Sequence, residues 1–207
     1  NNGANWSSYT VAPNPGSLAD KNHLMVDRHP GSPYENRVYA AWTDFGGTND
    51  YDVVFKWSSN NGQTWSAALN ISNALSSYLN QGVNVQTGPN GEVYVIWAVY
   101  ATSPVTNGED GIGFAKSTNG GVSFSAPTYI YQTTNFGIRG TLSNKAGIRV
   151  SSFPSATVDR TGGVNNGNIY VTWPQRTVAP AGSDPDIVSV RSTNGGTTWS
   201  APIRVNN

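Results

Sequence analysis

The chain contains no cysteine, and charged residues make up only 12% of its 207 residues. Without cysteine it has neither a disulfide framework nor a thiolate nucleophile, although this absence does not decide its compartment. The formal net charge is zero, so no basic face suggests nucleic-acid binding. No apolar run approaches the roughly 20 residues that span a bilayer, and no basic amphipathic stretch suggests a membrane surface. We therefore expect no nucleic-acid partner and no membrane insertion.

Residues that form turns and strands are abundant instead. The chain has 23 Gly, 12 Pro, 7 Trp and 10 Tyr, a composition typical of a protein built from short strands and tight turns. Its length is ample for a hydrophobic core in one or two domains. No stretch shows convincing helical periodicity. These features predict an all-β protein.

One short pattern, Ser-x-Asn-x-Gly-x-Thr/Ser-aromatic, occurs three times, and residues 1–6 match its second half. A pattern that recurs in this way along a chain indicates a repeat architecture. We therefore expect three full units of a longer array. For such a segment, the absence of a visible signal peptide says nothing about whether the protein is secreted. The defining residues of the three copies are Ser58, Asn60, Gly62 and Trp65; Ser117, Asn119, Gly121 and Phe124; and Ser192, Asn194, Gly196 and Trp199.

Each unit also contains four short segments rich in β-branched and aromatic residues and bounded by Gly, Pro, Asn and Asp, which predicts four strands. Four successive antiparallel strands form one blade of a β-propeller. The predicted division of the chain is a preceding blade end and link at 1–19, blade 1 at 20–72, blade 2 at 80–130, a long inter-blade loop at 131–154, and blade 3 at 155–207.

The repeated pattern resembles the Asp-box of sialidases (neuraminidases) and other propellers with bacterial neuraminidase (BNR) repeats, and the resemblance covers essentially the whole chain. Asn stands at positions 60, 119 and 194, where the family has Asp; Asn forms the same kind of turn, so we expect the fold to survive. The resemblance implies a segment of three four-stranded antiparallel blades from a six-bladed ring. It also implies that the pattern is a structural turn between third and fourth strands, with its aromatic packed between blades.

Strand order predicts which connections share a face. In an antiparallel blade the connections between strands two and three and the links between blades lie together; we call this the upper face. The connections between strands one and two and the repeated turns lie on the opposite, lower face. Family members bind ligands on the upper face around the central axis. The long link 131–154 belongs to this face, and long loops on a compact scaffold are often functional.

The resemblance implies three arginines that clamp a substrate carboxylate, because a planar guanidinium suits bidentate binding. The candidates on the upper face are Arg139, Arg149 and Arg176, with Lys145 in the same link. The alternative is that they are exposed loop charges or salt-bridge partners. The family's early Arg-Ile-Pro signature is absent, and Gly147-Ile-Arg-Val150 does not replace it.

A sialidase also uses a Tyr nucleophile paired with a Glu, and an Asp as acid/base. Tyr34 and Glu35 are adjacent in sequence, but they fall between strands one and two and so on the lower face. We expect this dipeptide to be a solvated turn. No other catalytic residue is predicted.

Acidic residues recur at the end of the connection between strands two and three in every unit, at Asp50 and Asp52, at Glu109 and Asp110, and at Asp184 and Asp186. Recurrence at one position suggests that they accept hydrogen bonds from loop amides. A structural calcium ion is the alternative, with Asp44, Asp50 and Asp52 as oxygen ligands. No other cofactor is expected, and His23 and His29 have no third ligand beside them.

Several aromatics do not repeat and fall on upper-face segments, where a sugar ring can stack on them. The candidates are Tyr78, Tyr100 and Phe136, followed by Tyr131, Phe45 and Tyr51. By contrast, the recurring Trp42, Trp97 and Trp173 occupy blade-packing positions.

Together these features favour a non-catalytic propeller module of a secreted or surface bacterial protein that binds a glycan or a protein through its upper face. One alternative is part of an exo-sialidase or a related glycoside hydrolase, and another is a purely structural or assembly module. Three blades leave open sheet faces, so the expected partner is the remainder of the ring or a second copy that closes it. Whether the protein is an enzyme is left open by the sequence.

Overall fold

The computed structural model describes residues 4–11, 18–75, 77–102, 108–141 and 147–207. Within these ranges all regular structure is β, in three four-stranded antiparallel sheets and one small ladder, and no helix is long and apolar enough to cross a membrane. The strands of the first sheet are β1 (Leu18–Val26), β2 (Val38–Phe45), β3 (Val53–Ser58) and β4 (Leu69–Asn70); those of the second are β5 (Leu79–Thr87), β6 (Val93–Tyr100), β7 (Gly111–Ser117) and β8 (Thr128–Gln132). The ladder joins β9 (Gly140–Thr141) to β10 (Arg149–Val150), and the third sheet has β11 (Ser155–Val158), β12 (Ile169–Gln175), β13 (Asp186–Ser192) and β14 (Ile203–Arg204).

Each sheet is a meander in which the strands lie side by side in the order in which they follow one another in the chain. The three sheets are blades 1, 2 and 3, and their first strands lie together on one side. Gln81 donates from Nε2 to Asp20 Oδ2 at 2.6 Å, and Val85 N donates to His23 Nδ1 at 3.3 Å. First strands that converge while the sheets stack face to face make a segment of a β-propeller. The predicted fold class is confirmed.

The core fills the two junctions between blades. Alternate residues of a strand point to opposite faces, so β6 contributes to both junctions. Val95 and Trp97 pack against Tyr39 and Phe55 of blade 1, whereas Ile96 packs against blade 3. All five are fully buried. Blade 2 is therefore apolar on both faces because it lies between two neighbours.

The repeated turn connects the third strand to the fourth in every blade and forms the same hydrogen bonds each time. In blade 2, Ser117 Oγ donates to Asn119 Oδ1 at 2.8 Å and accepts from Gly121 N at 2.9 Å. Asn119 Oδ1 also accepts from Ser123 N at 3.0 Å, and its Nδ2 donates to Ser123 Oγ at 2.8 Å. The amide side chain thus supplies both an acceptor and a donor inside the turn.

The aromatic residue that ends the turn packs against the preceding blade. The rings of Phe124 and Phe55 meet edge to face with centroids 4.7 Å apart, and those of Trp199 and Phe114 do the same at 5.4 Å. The glycine within the turn makes this approach close, because a Cβ atom at Gly196 would overlap the ring of Phe114. The turns of blades 2 and 3 therefore join each of these blades to the one before.

The link between blades 2 and 3 differs from the predicted long loop over 131–154. The fourth strand of blade 2 continues to Gln132, which places Tyr131 in β8 and not in a loop. The ladder of β9 and β10 occupies the middle of the link, where Gly140 is opposite Val150. Lys145 lies outside the described residues.

Candidate functional site

The upper face collects the connections between strands two and three together with the links between blades. In blade 1, Asp44 N donates to Asp52 O at 3.0 Å, so the loop between β2 and β3 closes tightly. Asn80 N donates to Tyr51 O at 2.9 Å, and this bond joins the same loop to the first strand of blade 2. The edges of neighbouring blades therefore meet on this face.

Three aromatic rings form a contiguous cluster at the upper edge of blades 1 and 2; we call Phe45, Tyr51 and Tyr78 the aromatic trio. The rings of Phe45 and Tyr51 meet edge to face with centroids 5.6 Å apart, and Tyr51 and Tyr78 follow at 5.0 Å. All three residues are partly exposed. The pKa of Tyr51 is raised, mainly because its hydroxyl bonds to that of Tyr78, with the charge of Asp50 adding to the shift.

Tyr51 has an unusual backbone for a bulky residue, with φ at 67°. A side chain in the left-handed region costs free energy and persists only where the surroundings hold it. Two backbone hydrogen bonds stabilise this conformation. Tyr51 N donates to Asp44 O at 2.8 Å, and Asn80 N donates to Tyr51 O. The strained conformation places the Tyr51 ring between the other two rings of the trio.

A buried tyrosine–glutamate pair lies at the upper edge of blades 2 and 3. Tyr100 donates from its hydroxyl to Glu109 Oε1 at 2.8 Å, and Ser152 N donates to the same oxygen at 2.8 Å. Both Tyr100 and Glu109 are buried, at 1% and 0% exposure. Burial raises the pKa of the Tyr100 hydroxyl, and the Glu109 carboxylate raises it further while Arg139 partly offsets the shift. The phenol therefore stays protonated as a donor.

Arg139 covers this pair. Its Cζ atom lies 4.9 Å from the centroid of the Tyr100 ring, in cation–π range. Its Nη1 atom is buried and finds no acceptor among the described residues, and Glu109 Oε2 is likewise buried without a donor there. A buried guanidinium nitrogen without an acceptor is unfavourable, and here the guanidinium is offset by its contact with the Tyr100 ring and by its interaction with the Tyr100 hydroxyl.

The other two candidate arginines belong to backbone segments next to Arg139. Gly140 is paired with Val150 in the β9–β10 ladder, which brings Arg149 to the neighbouring position. Arg176 N donates to Phe136 O at 3.0 Å, so the end of β12 adjoins the same link. Arg149 is exposed and Arg176 is partly exposed. The backbone segments that carry the three arginines therefore adjoin one another on the upper face.

The recurring acidic residues hold loops, as expected from their recurrence. Asp50 accepts from Gly46 N at 2.7 Å, Asp110 from Asn135 N at 2.7 Å and Asp186 from Gly182 N at 2.8 Å. The pKa of Asp186 is lowered, chiefly by the hydrogen bond from Gly182 N and next by the hydrogen bond from Asn206 Nδ2. These carboxylates are acceptors inside the scaffold.

Asp44, Asp50 and Asp52 are the residues given above as possible calcium ligands, and calcium binding by them stays a prediction. In the part of the chain that the structure describes, no three His, Asp or Glu side chains are gathered as a metal site would need. Asp52 instead accepts from Ser72 Oγ at 2.7 Å and from Asn80 Nδ2 at 3.1 Å. Its carboxylate ties the loop of blade 1 to the following link.

Two predicted stacking residues are buried, which corrects the expectation that their rings face solvent. Phe136 is fully buried between Tyr131, at a centroid distance of 5.2 Å, and Trp173, at 6.2 Å. Tyr100 ends β6 and is buried beneath Arg139. Their apolar rings are covered because the link after β8 folds back over the junction of blades 2 and 3. Neither ring is available to a sugar.

The Tyr–Glu dipeptide considered in the sequence lies far from this region. Tyr34 and Glu35 stand between β1 and β2, on the lower face. Arg37 stacks on the Tyr34 ring, with Cζ 4.8 Å from its centroid, and donates to Gly120 O in the turn of blade 2 at 2.8 Å. Tyr34 thus belongs to the contact between blades 1 and 2.

Sequence reasoning missed a small cavity where the three first strands converge. Bulges interrupt the register of β1 between Asp20 and His23 and that of β5 between Gln81 and Asn84. The cavity has a volume of about 200 Å³ and is lined by equivalent positions of the three blades, namely Lys21 and Asn22, Gly82 and Val83, and Phe153 and Pro154. Gly82, with φ at 73°, leaves room for the Phe153 ring.

Comparison with known proteins gives structural likeness at low identity. No protein-family model and no curated protein matches the chain. A Hadza microbial sialidase is 17% identical, with a TM-score of 0.46, over 84% of this chain and 34% of its own. The intramolecular trans-sialidase of Ruminococcus gnavus is 17% identical, with a TM-score of 0.42, over 74% of this chain and 26% of its own. The GH93 α-L-arabinofuranosidase of Fusarium graminearum is 16% identical, with a TM-score of 0.45, over 94% of this chain and 60% of its own. The chain therefore spans less than two thirds of each of these proteins.

Proposed function

We propose that the chain is a non-catalytic propeller module that binds an acidic glycan on its upper face. The observation that carries the proposal is the aromatic trio, a partly exposed stack of rings held in place by a strained tyrosine. Sugar rings bury their apolar face against such rings. The hydroxyls of Tyr51 and Tyr78 bond to each other, and their oxygens can still accept from the hydroxyl groups of a sugar. Backbone strain at Tyr51 is typical of residues kept in position for function.

The arginines supply the preference for an acidic sugar. Arg139, Arg149 and Arg176 come from adjoining segments of the upper face, and one nitrogen of Arg139 is buried without an acceptor among the described residues. A guanidinium binds a carboxylate through two parallel hydrogen bonds. A glycan that ends in a carboxylate sugar therefore offers a ring for the aromatic trio and an anion for the arginines.

The state of the Tyr100–Glu109 pair argues against Tyr100 as the nucleophile of a glycoside hydrolase. A tyrosine nucleophile must reach the substrate and lose its proton, whereas Tyr100 is 1% exposed and its pKa is raised. The pair supports Arg139 from below, with Glu109 fixing the tyrosine hydroxyl and Ser152 N fixing the carboxylate. It is a positioning element of the binding face.

Titration calorimetry of the full chain with 3′-sialyllactose and with neutral lactose tests the proposal. We expect binding of the sialylated sugar only, and a loss of about tenfold or more in Arg149→Ala, because a hydrogen bond to a charged group contributes about 1.5–3 kcal/mol. Tyr78→Ala should weaken binding as well. Arg28→Ala is the matched control, because Arg28 is exposed between β1 and β2 on the lower face.

Each other outcome selects a different function. Equal binding of the two sugars would remove the arginines from the proposal. Hydrolysis of a fluorogenic sialoside that disappears in Arg149→Ala would identify part of a glycoside hydrolase. An absence of both binding and turnover would leave a structural module or a protein partner.

A further inference from the structure

A cleft lies between blades 2 and 3, on the side of the sheets away from the converging first strands. One wall comes from β7 and from the segment that leads into β8, and the other comes from the repeated turn of blade 3. Its volume is about 410 Å³, a size typical of small-molecule sites. Both walls belong to this chain. The lining includes Phe114, Lys116, Ser125, Ala126, Gly195 and Trp199.

Aromatic rings form the apolar part of the cleft. Phe114 is buried, Trp199 is partly exposed, and the two rings meet edge to face with centroids 5.4 Å apart. The turn comes this close to blade 2 because Gly196 has no Cβ atom, which would overlap the Phe114 ring. A partly exposed indole in a concave site offers a flat apolar surface to a ring of similar shape.

Lys116 supplies a positive charge at the same place. Its Nζ atom lies 5.8 Å from the centroid of the Tyr94 ring and close to Gly195 of the blade 3 turn. Within the described ranges, Lys116 forms no ion pair and its ammonium donates no hydrogen bond. Glu92 of the same blade accepts instead from Asn90 N at 3.0 Å and from Asn90 Nδ2 at 3.1 Å. The ammonium therefore keeps all its donors for a ligand.

The junction of blades 1 and 2 shows what fills the equivalent space there. Arg37 stacks on Trp57, with Cζ 4.1 Å from the ring centroid, and donates to Gly120 O at 2.8 Å. Trp57 and Lys116 are equivalent, because each directly precedes the serine of its repeated turn. Blade 2 has Glu92 at the position of Arg37, directly before the Val-Tyr pair of the second strand. No guanidinium of blade 2 therefore enters the junction with blade 3.

Ser125 adds a hydroxyl donor to the cleft. The equivalent residues Ser66 and Ser200 donate from Oγ to the carbonyl oxygen of the next residue, at 2.9 Å and 3.1 Å. Ser125 Oγ accepts from Lys116 N at 3.4 Å, and in the part of the chain that the structure describes its hydroxyl donates to no acceptor. Its hydrogen is free for a ligand oxygen near the ammonium of Lys116.

We propose that this cleft binds a small organic monocarboxylate with a flat apolar ring. The carboxylate accepts from Lys116 Nζ and from Ser125 Oγ, and the ring lies against the indole of Trp199. One ammonium matches one negative charge and forms charge-assisted hydrogen bonds with it. No described acidic residue lines the cleft, so the anion meets no like charge there. The site does not depend on the function proposed for the upper face.

Titration of the isotope-labelled chain with benzoate, followed by NMR, tests the proposal. The indole N–H signal of Trp199 reports on the wall of the cleft and is assigned by its loss in Trp199→Phe. Trp65 and Trp173 give internal references outside the cleft, since their indole groups donate to Gly62 O at 3.0 Å and to Gln175 Oε1 at 2.9 Å. Benzamide, which has the same ring without the charge, is the matched ligand control.

We expect benzoate to shift the indole signal of Trp199 and the amide signals of Gly195 and Gly196 along one saturable curve. The signals of the reference indoles should stay in place, and benzamide should have little effect. Shifts that do not saturate, or equal shifts with benzamide, would overturn the proposal, and this comparison needs no substitution of the chain.

Substitutions then identify the groups that hold the carboxylate. Lys116→Gln should weaken benzoate binding about tenfold or more, because it removes the charge-assisted hydrogen bond, and Ser125→Ala should weaken it less. Lys56→Gln is the matched control, since it removes the same charge from the equivalent strand of blade 1, where Lys56 Nζ donates to Val11 O. Amide signals away from the cleft verify that each variant is folded.

Two results with these variants would contradict the assignment. Unchanged benzoate binding in folded Lys116→Gln, or an equal loss in Lys56→Gln, removes Lys116 as the group that binds the anion. Arg149→Ala separates this site from the upper face, because we expect it to leave benzoate binding unchanged. A loss of binding in Arg149→Ala would place the anion on the upper face and overturn the proposal.

Discussion

Alanine substitution at three equivalent glycines would separate backbone strain from packing between blades. Gly62, Gly121 and Gly196 occupy the same position of the repeated turn, with φ at 81°, 84° and 85°. A Cβ atom meets different surroundings at each. At Gly62 it contacts only Trp65 at 3.7 Å, at Gly121 it lies 2.7 Å from Phe55, and at Gly196 it overlaps the ring of Phe114.

The free-energy cost of placing alanine in the left-handed backbone conformation should be the same at all three sites. Placing an L-residue in the left-handed region costs about 1–2 kcal/mol, and the reduced freedom of the unfolded chain offsets about 0.4–1 kcal/mol of that. We therefore expect Gly62→Ala to lower the free energy of unfolding by about 1 kcal/mol. Overpacking a filled contact costs a further 1–3 kcal/mol or so, and this cost applies to Gly196→Ala and, to a smaller extent, Gly121→Ala.

Equilibrium urea unfolding, followed by circular dichroism at a protein concentration where the chain is monomeric, measures the three values. The comparison is sound if the slopes against urea agree, because the slope reports the surface exposed on unfolding. Equal destabilisation by all three substitutions, within about 0.5 kcal/mol, would refute the conclusion that the turns of blades 2 and 3 join adjacent blades. A larger effect at Gly62 than at Gly196 would refute it as well.

Three further predictions concern the turn, the first strand and the buried pair. Asn119→Ala should destabilise by about 1–3 kcal/mol because Ser117 Oγ and Ser123 N lose their acceptor, whereas Asn119→Asp should cost less than about 1 kcal/mol; urea unfolding compares the two. Burial lowers the pKa of His23 below 6.5, and its Nδ1 accepts from Val85 N; the contribution to stability is therefore complete above pH 6.5 and is lost as the pH falls towards the lowered value. We expect the urea midpoint to fall between pH 7.5 and pH 5, and to fall less in His23→Gln. Tyr100→Phe should cost about 1–3 kcal/mol in thermal or urea unfolding, since Glu109 Oε1 loses a buried donor.

A control substitution tests the physical reason behind each of these three predictions. An Asn119→Asp variant as unstable as Asn119→Ala would show that the amide donor to Ser123 Oγ, and not the shared acceptor, holds the turn. An unchanged pH dependence in His23→Gln, or an equal change in His29→Gln, would remove His23 as the source of the effect. Tyr131→Phe serves as the control for Tyr100→Phe, and equal losses in the two variants would contradict the role of the Tyr100–Glu109 bond.

The strands and the turns followed from local sequence. Each strand was marked by β-branched and aromatic residues between turn formers, and the three copies of the turn reinforced one another. The pattern Ser58, Asn60 and Gly62 encodes its hydrogen bonds within a few residues, so no distant part of the chain is needed to form it. The bounds were less accurate at the link after β8, where the ladder of β9 and β10 replaced a predicted loop.

The candidate site was predicted only in part. Tyr78, Phe45 and Tyr51 were identified because they fall on the upper face and do not repeat, and the structure adds that Tyr51 contacts both of the other rings. The Tyr100–Glu109 pair was missed because nothing in either residue's local sequence shows that the loop between β6 and β7 folds its acid back under the tyrosine. The cavity lined by the first strands was missed because it forms where bulges in β1 and β5 meet the segment before β11, three stretches that are distant in the chain.

The sequence by itself determined the repeat, the all-β class and the turn chemistry, because hydrogen bonds and side-chain periodicity act over a few neighbouring residues. Only the tertiary structure decided which upper-face groups are exposed. Phe136 and Tyr100 are residue types common in sugar-binding surfaces, but both are buried. The link after β8 packs Phe136 against Trp173 and places Arg139 on the ring of Tyr100. Exposure depends on contacts between residues distant in the chain, and these form only when the blades assemble side by side.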